Sequence, residues 1–123
     1  MPPSATEVDA LVARFARAYD AGDLAALLAL IDPDVAQDDR IAFTFANFSR
    51  VFRETSSRRI DLQVIQRTSD QDRARIQLAA RTTLSDKDSA VRAGAGELTL
   101  VVRKRGGVPV IIDVRYRERG SAA

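Results

Sequence analysis

The stretch ARAYDAGDLAALLALIDPDV, residues 16–35, decides how the rest of the chain is read. A helical run ends at Gly22, a residue that enters the left-handed conformation at little steric cost and so closes helices. Asp23 then caps a second, short helix over LAALLALI, and Pro33 stops it, because proline cannot continue a helix. LAALLALI is apolar nearly all round, which predicts that it is buried. Upstream, Ser4 and Glu7 have the spacing of a capping box, and Val8, Leu11, Val12, Phe15 and Tyr19 recur at helical spacing. These predict an amphipathic helix over 5–20. Downstream, Asp38 or Asp39 caps a third helix, about 40–55, with the stripe Ile41, Phe45, Phe48 and Phe52.

After SSRR the period changes from helical to two. IDLQVIQR (60–67), RARIQLAARTTL (73–84), GELTLVVRK (96–104) and VPVIIDVRYR (108–117) alternate as strands do. SDQD (69–72) and RGG (105–107) read as turns, and SDKDSAVRAGAG (85–96), rich in small and polar residues, as a long loop. Three helices followed by four strands in successive hairpins predict one α+β domain over 1–123. The helices pack in the concave face of a curved four-stranded antiparallel sheet, with 1–4 and 118–123 frayed.

Alternate strand residues share a face. Leu62, Val64, Ala74, Ile76, Leu78 and Ala80 fall on the inward face. So do Leu98, Leu100, Val102, Val110, Ile112, Val114 and Tyr116. The opposite parity gathers Gln63, Arg75, Gln77, Arg81, Thr99, Arg103, Asp113 and Arg115, with Asp61, Arg67, Glu97 and Arg117. A β-bulge in any strand would reverse this assignment beyond it.

Composition supplies mainly exclusions. The 123 residues hold no Cys and no His, which removes disulfides, thiolate chemistry and the side chain best suited to proton transfer near neutrality. Acid–base work would fall to Asp, Glu, Tyr or Lys. The net charge is +2, and 17 of the 19 basic residues are Arg, a bias that GC-rich coding produces. An Arg-rich face would suit a nucleic-acid backbone, but Asp61, Glu97 and Asp113 interrupt the field, and no aromatics stand among the arginines to stack on bases. No nucleic-acid partner is expected. No apolar run approaches the about 18 residues that span a bilayer, and the N-terminus lacks a basic region followed by an apolar one. No membrane association and a cytoplasmic location are therefore expected.

The helix–AGD–short helix–DPDV opening and the hairpin VVRKRGGVPVIIDVRYR resemble the nuclear-transport-factor-2-like superfamily, in its bacterial SnoaL-like branch. The resemblance covers most of the chain. It implies a cone-like, cystatin-like roll with a cup between helices and sheet, and it implies no one activity, because this fold hosts enzymes, ligand binders and association domains. Set against ketosteroid isomerase, the resemblance puts Asp39 at the position of the proton-shuttling Asp. The oxyanion donors of that enzyme are not matched, since its Tyr position is Phe15 and its later Asp position is Thr99. The His or Asp–Arg pairs that dehydratase and epoxide-hydrolase branches turn inward are also lacking: Asp113–Arg115 and Arg75–Arg81 carry the polar parity. An extra strand pair that many enzymes of the superfamily have before the third helix is missing. The cup should thus be smaller, or filled by Phe43, Phe45 and Phe48.

The cup is expected to be lined by Phe15, Tyr19, Asp39, Phe45 and Phe48 from the helices, and by Leu78, Val102 and Tyr116 from the sheet. Asp39 is the one weak candidate for a general base. Asp32, Asp34, Asp38 and Asp39 have the oxygen chemistry of a hard-metal site, but turn formation and helix capping account for them, so neither metal nor cofactor is expected. The polar sheet face, from Gln63 to Arg115, suits a two-fold dimer contact, and relatives of the family often pair there. The expectation is a homodimeric, non-catalytic domain that associates with proteins or holds a small apolar ligand. The alternative is an isomerase, cyclase or hydrolase with Asp39 as base.

Overall fold

The computed structural model describes residues 1–119. Its elements are α1 (Ala5–Ala21), α2 (Leu24–Leu28), α3 (Asp39–Glu54), β1 (Thr55–Ser69), β2 (Arg73–Asp86), β3 (Val91–Arg105) and β4 (Val108–Glu118). The strands pair antiparallel in sequence order, in one sheet whose inner face carries the helices. The fold class is α+β, as the change of period predicts.

The α1 boundaries follow from local chemistry. The Glu7 N–H donates to Ser4 Oγ (3.1 Å) and the Ser4 N–H to Glu7 Oε1 (3.0 Å), which satisfies two orphan donors at the helix start. Gly22 ends the helix at φ 66°, its N–H returned to the carbonyls of Ala18 and Tyr19. Asp23 caps α2 through the Ala26 N–H, and Asp38, not Asp39, caps α3 through the Arg40 N–H. Of the second helical stretch, Leu27 and Leu30 are buried while Leu28 is exposed, so it packs through one side only. Chain ends expected to fray are engaged: Pro3 is buried, Ser4 caps α1, and the Arg119 N–H donates to the Ala95 carbonyl (2.9 Å). Residues 120–123 lie outside the described residues.

Sheet parity holds through β2 and β3, where Ala74, Ile76, Leu78, Ala80, Leu98, Leu100 and Val102 are all buried. It breaks at Val64 in β1 and in the first half of β4, while Leu62, Val114 and Tyr116 keep the inward side. Register shifts between Val101 and Val102 make Ile112 a bulge, so Ile111 is fully buried in place of Val110 and Ile112. In β1 the shift between Val64 and Gln66 falls on an edge strand, and Val64 is exposed. The stretch 85–96 is not a loop. β2 runs to Asp86 and β3 starts at Val91, leaving a tight connection in which the Ser89 N–H donates to the Asp86 carbonyl. The small residues Ala93, Gly94, Ala95 and Gly96 are strand residues, which composition alone misreads as flexible.

Between α2 and α3 there is no strand pair. Instead the chain clips onto the β4 edge: the Asp32 N–H donates to the Ile111 carbonyl, and the Ile111 N–H donates to the Leu30 carbonyl, both at 2.8 Å. Asp32 is fully buried there. It accepts from its neighbour's amide at Asp34, from Arg103 Nε (2.9 Å) and from Arg105 Nη1 (2.6 Å). Burial pushes its carboxyl upward, but these hydrogen bonds and the Arg103 charge outweigh that and hold it below the usual carboxylate range. No helix among the described residues is long and apolar enough to cross a membrane.

Candidate functional site

A cavity of about 760 Å³ opens between α3, the end of α1 and the inner face of the sheet. That size lies within the range of pockets that take small organic molecules, about 300–1,000 Å³. The cup is therefore not filled by Phe43, Phe45 and Phe48. Phe43 stands 70% exposed at the mouth, Phe45 is buried in the core away from the wall, and Phe48 forms part of the wall. Phe45 and Phe48 pack edge to face at 5.6 Å, and Phe48 meets Phe15 the same way at 6.0 Å, so the aromatic stripe braces the cavity rather than filling it.

Each wall comes from a distinct element. α3 supplies Arg40, Thr44, Asn47 and Val51, a stripe at helical spacing beside the apolar one. The sheet supplies Ile60, Thr82, Leu84, Leu98, Val114 and Tyr116, which are inward residues of four successive strands. Of the expected cup residues, Phe15, Tyr19, Phe48 and Tyr116 line the cavity. Leu78 and Val102 are buried beneath the helices elsewhere in the core, and Asp39 lies exposed on the first turn of α3, outside the wall. Among the described residues the one carboxylate in the wall is Glu118, and three guanidinium groups border it, from Arg40, Arg50 and Arg115.

Charges at the mouth are partly matched. Asp113 on β4 receives Arg40 Nη1 at 3.4 Å and Arg115 Nε at 3.2 Å. At the other end two phenols meet the cavity. Tyr19 is 5% exposed, and burial, with a further push from Tyr116 and an opposing pull from Arg58, raises its hydroxyl to about 12. Burial, then the Glu118 charge, raises Tyr116 as well. Among the described residues neither hydroxyl is hydrogen-bonded. Arg58 stands beside this end, its Nη1 donating to Thr55 and its guanidinium carbon 5.4 Å from the Phe52 ring centroid.

The residues that sequence reasoning missed were reachable by it. Extending the inward parity of β2 past Ala80 reaches Thr82 and Leu84, and extending β4 past Tyr116 reaches Glu118. The flank of the α3 apolar stripe holds Arg40, Thr44, Asn47 and Val51.

The expected dimer face is largely on the outer side of the sheet. Gln63, Arg75, Arg81 and Arg115 are exposed there, with Gln77 and Thr99 half-buried. Arg75, Gln77, Glu97 and Thr99, with Arg115 to Arg117, enclose a polar depression of about 380 Å³. Two residues leave the set: Arg103 is spent on buried Asp32, and Asp113 is engaged by Arg40. Three of the four clustered aspartates are likewise committed, Asp32 and Asp34 to Arg103 and Arg105, and Asp38 to its helix cap, while Asp39 is exposed.

No protein-family model and no curated protein matches this sequence. Solved structures do. A Xanthomonas campestris protein provisionally described as a calcium/calmodulin dependent protein kinase II association domain superposes with TM-score 0.74 at 21% identity, over 98% of this chain and 91% of its own. A Streptomyces avermitilis protein of the NTF2-like family, provisionally described as a dehydratase, gives TM-score 0.74 at 13% identity, over 93% and 95%. A Nostoc punctiforme protein of unknown function with a cystatin-like fold gives 0.71 at 19%, over 98% and 97%. At such identities the likeness establishes architecture.

Proposed function

Taking the chain as an NTF2-like/SnoaL-like fold with an open cup, we propose that it binds a small amphipathic molecule in that cup, and does so as a homodimer paired through the outer sheet face. The observation that carries the reading is the cavity of about 760 Å³, whose apolar wall of Phe15, Phe48, Leu98 and Val114 is left unfilled by the chain itself. Burying an apolar body against that wall is favourable by about 25 cal/mol per Å² removed from water. The Arg40, Arg50 and Arg115 guanidiniums at the border suit a polar or acidic end of the same molecule.

A general-base enzyme built on Asp39 gains no such support. A base has to lie within hydrogen-bond reach of the proton it removes, and Asp39 is outside the wall. Pairing draws support from the outer face, whose mixed Arg, Glu, Gln and Thr is self-complementary across a two-fold axis. The test is native mass spectrometry of gently purified protein, with titration by anilinonaphthalene sulfonate, an apolar ring system bearing one anionic group. The expected result is a dimer that retains a small adduct or takes up the dye with enhanced fluorescence. A bare monomer that leaves the dye dark overturns the reading.

A further inference from the structure

The outer face of the sheet carries more positive charge than its own carboxylates match. Gln77, Thr99 and Arg115 stand on one rung across β2, β3 and β4. Thr99 is short between two long neighbours, so the rung dips at its centre. Arg75 and Arg117, two positions away along β2 and β4, close the dip from either side and complete the depression of about 380 Å³. Glu97, opposite Arg117, is the one carboxylate in its wall among the described residues. Arg119 already approaches Glu97 at 4.0 Å, and Arg115 shares Asp113 with Arg40. Arg75 and Arg117 join no ion pair among the described residues.

Three guanidiniums against one carboxylate leave two positive charges in the depression. On a free chain, water and salt screen them. Pairing through this face changes the balance. In a two-fold contact each patch meets its own copy, so surplus meets surplus while the screening water is displaced. Glu97 can match one arginine of the second copy and no more. The donors on the face select the anion that would restore neutrality. Planar N–H forks match the paired oxygens of a phosphate-type anion, and the Thr99 hydroxyl and Gln77 amide add neutral donors on the floor. Such an anion carries a charge of about −2 at neutral pH, equal to the surplus, where a carboxylate supplies half of it.

Resting on the pairing reading above, we propose that this depression binds a tetrahedral oxyanion of the phosphate or sulfate class, and that the bound anion bridges Arg75, Arg115 and Arg117 of two copies. Pairing and anion binding are then linked, and the linkage is reciprocal: the factor by which the anion tightens the dimer is the factor by which the dimer tightens the anion.

The experiment measures the dimer dissociation constant by analytical ultracentrifugation in sodium chloride and in sodium phosphate of equal ionic strength and pH, with phosphate uptake followed by calorimetry. With phosphate at about ten times its own dissociation constant, the dimer dissociation constant is expected to fall about 10-fold, by mass action. Sulfate should act alike. Phenyl phosphate separates two sources of the same chemistry: tighter pairing with it admits a phosphate ester, and tighter pairing with inorganic phosphate alone assigns the free ion, either result upholding the bridge. The double variant R75Q/R117Q removes the surplus, so it should pair more tightly than wild type in chloride and lose the response to phosphate. Both arginines are exposed and outside the cup wall, so the fold and the cup are spared. A wild-type dimer of equal strength in both buffers overturns the bridge and leaves the pairing reading standing. A double variant that still responds to phosphate overturns the assignment to these arginines. A protein monomeric in both buffers overturns the pairing reading and the bridge with it. Should the double variant unfold, the wild-type response to phosphate decides alone.

Discussion

Gly96 and Tyr116 fit by exclusion: a Cβ on residue 96 would lie 2.7 Å from the Tyr116 hydroxyl oxygen, and equally 2.7 Å from the Arg117 carbonyl oxygen. Contacts that short do not occur, so either the ring and strand shift or residue 96 stays glycine. Gly96→Ala should destabilise the fold by about 1–3 kcal/mol, as overpacking does. Adding Tyr116→Ala should recover only part, since the backbone carbonyl remains in the way. Denaturant unfolding of both variants measures this.

Asp32 predicts an asymmetry between two ways of breaking one cluster. Arg103 and Arg105 are partly exposed and regain water when Asp32 is neutralised, whereas Asp32 is fully buried and does not when the arginines go. The pair Arg103→Met/Arg105→Met should therefore cost more than Asp32→Asn, about 3–5 kcal/mol against about 1–3. Equal losses in chemical denaturation would contradict the assignment.

The same carboxylate sets an acid limit. Its folded-state value lies below the ordinary one, so its stabilisation is complete above the ordinary value of about 4 and is lost as the pH falls below it. Thermal midpoints should fall below pH 4 in wild type and fall less steeply in Asp32→Asn.

At the alkaline end Tyr19 acts in the opposite sense. Its hydroxyl is raised to about 12 by burial and by Tyr116, so the stability it contributes is intact below the ordinary value of about 10 and is lost as the pH rises through the folded one. Ultraviolet titration should show phenolate forming late, with stability declining between those limits, and Tyr19→Phe should flatten the decline.

Leu100 is fully buried at the centre of β3 beneath the helices. Leu100→Ala should lower stability by about 2–5 kcal/mol, through lost burial and the cavity left behind. Leu100 is not itself in the cavity wall, so dye binding by the folded fraction should persist.

Most of the fold was legible because it rests on local signals. Ser4, Glu7, Gly22, Asp23 and Pro33 each act through their nearest neighbours, and Ala74 to Ala80 alternate without interruption. What was not legible depends on non-local geometry. The bulges at Ile65 and Ile112 carry no sequence mark, and each turns the strand beyond it over. Gly94 and Gly96 read as flexibility because composition cannot tell a glycine that bends from one that makes room, and only the approach of Tyr116 and Thr82 distinguishes them. Resemblance set Asp39 at the position of the proton-shuttling Asp of ketosteroid isomerase, but the structure gives capping to Asp38 and leaves Asp39 on the surface. The buried Asp32 was invisible for the same reason, since its partners lie some seventy residues away on another strand.

The bulges in β1 have a consequence for aggregation. A regular, unpaired strand edge is a template on which another molecule extends the sheet, and repetition of that step makes fibres. β1 has register breaks at Ser56 and Ile65, so no straight run of free amides and carbonyls spans its length. The opposite edge is occupied at Ile111 by the clip from residues 30–32. Lengthwise polymerisation is thereby hindered at both edges of the sheet.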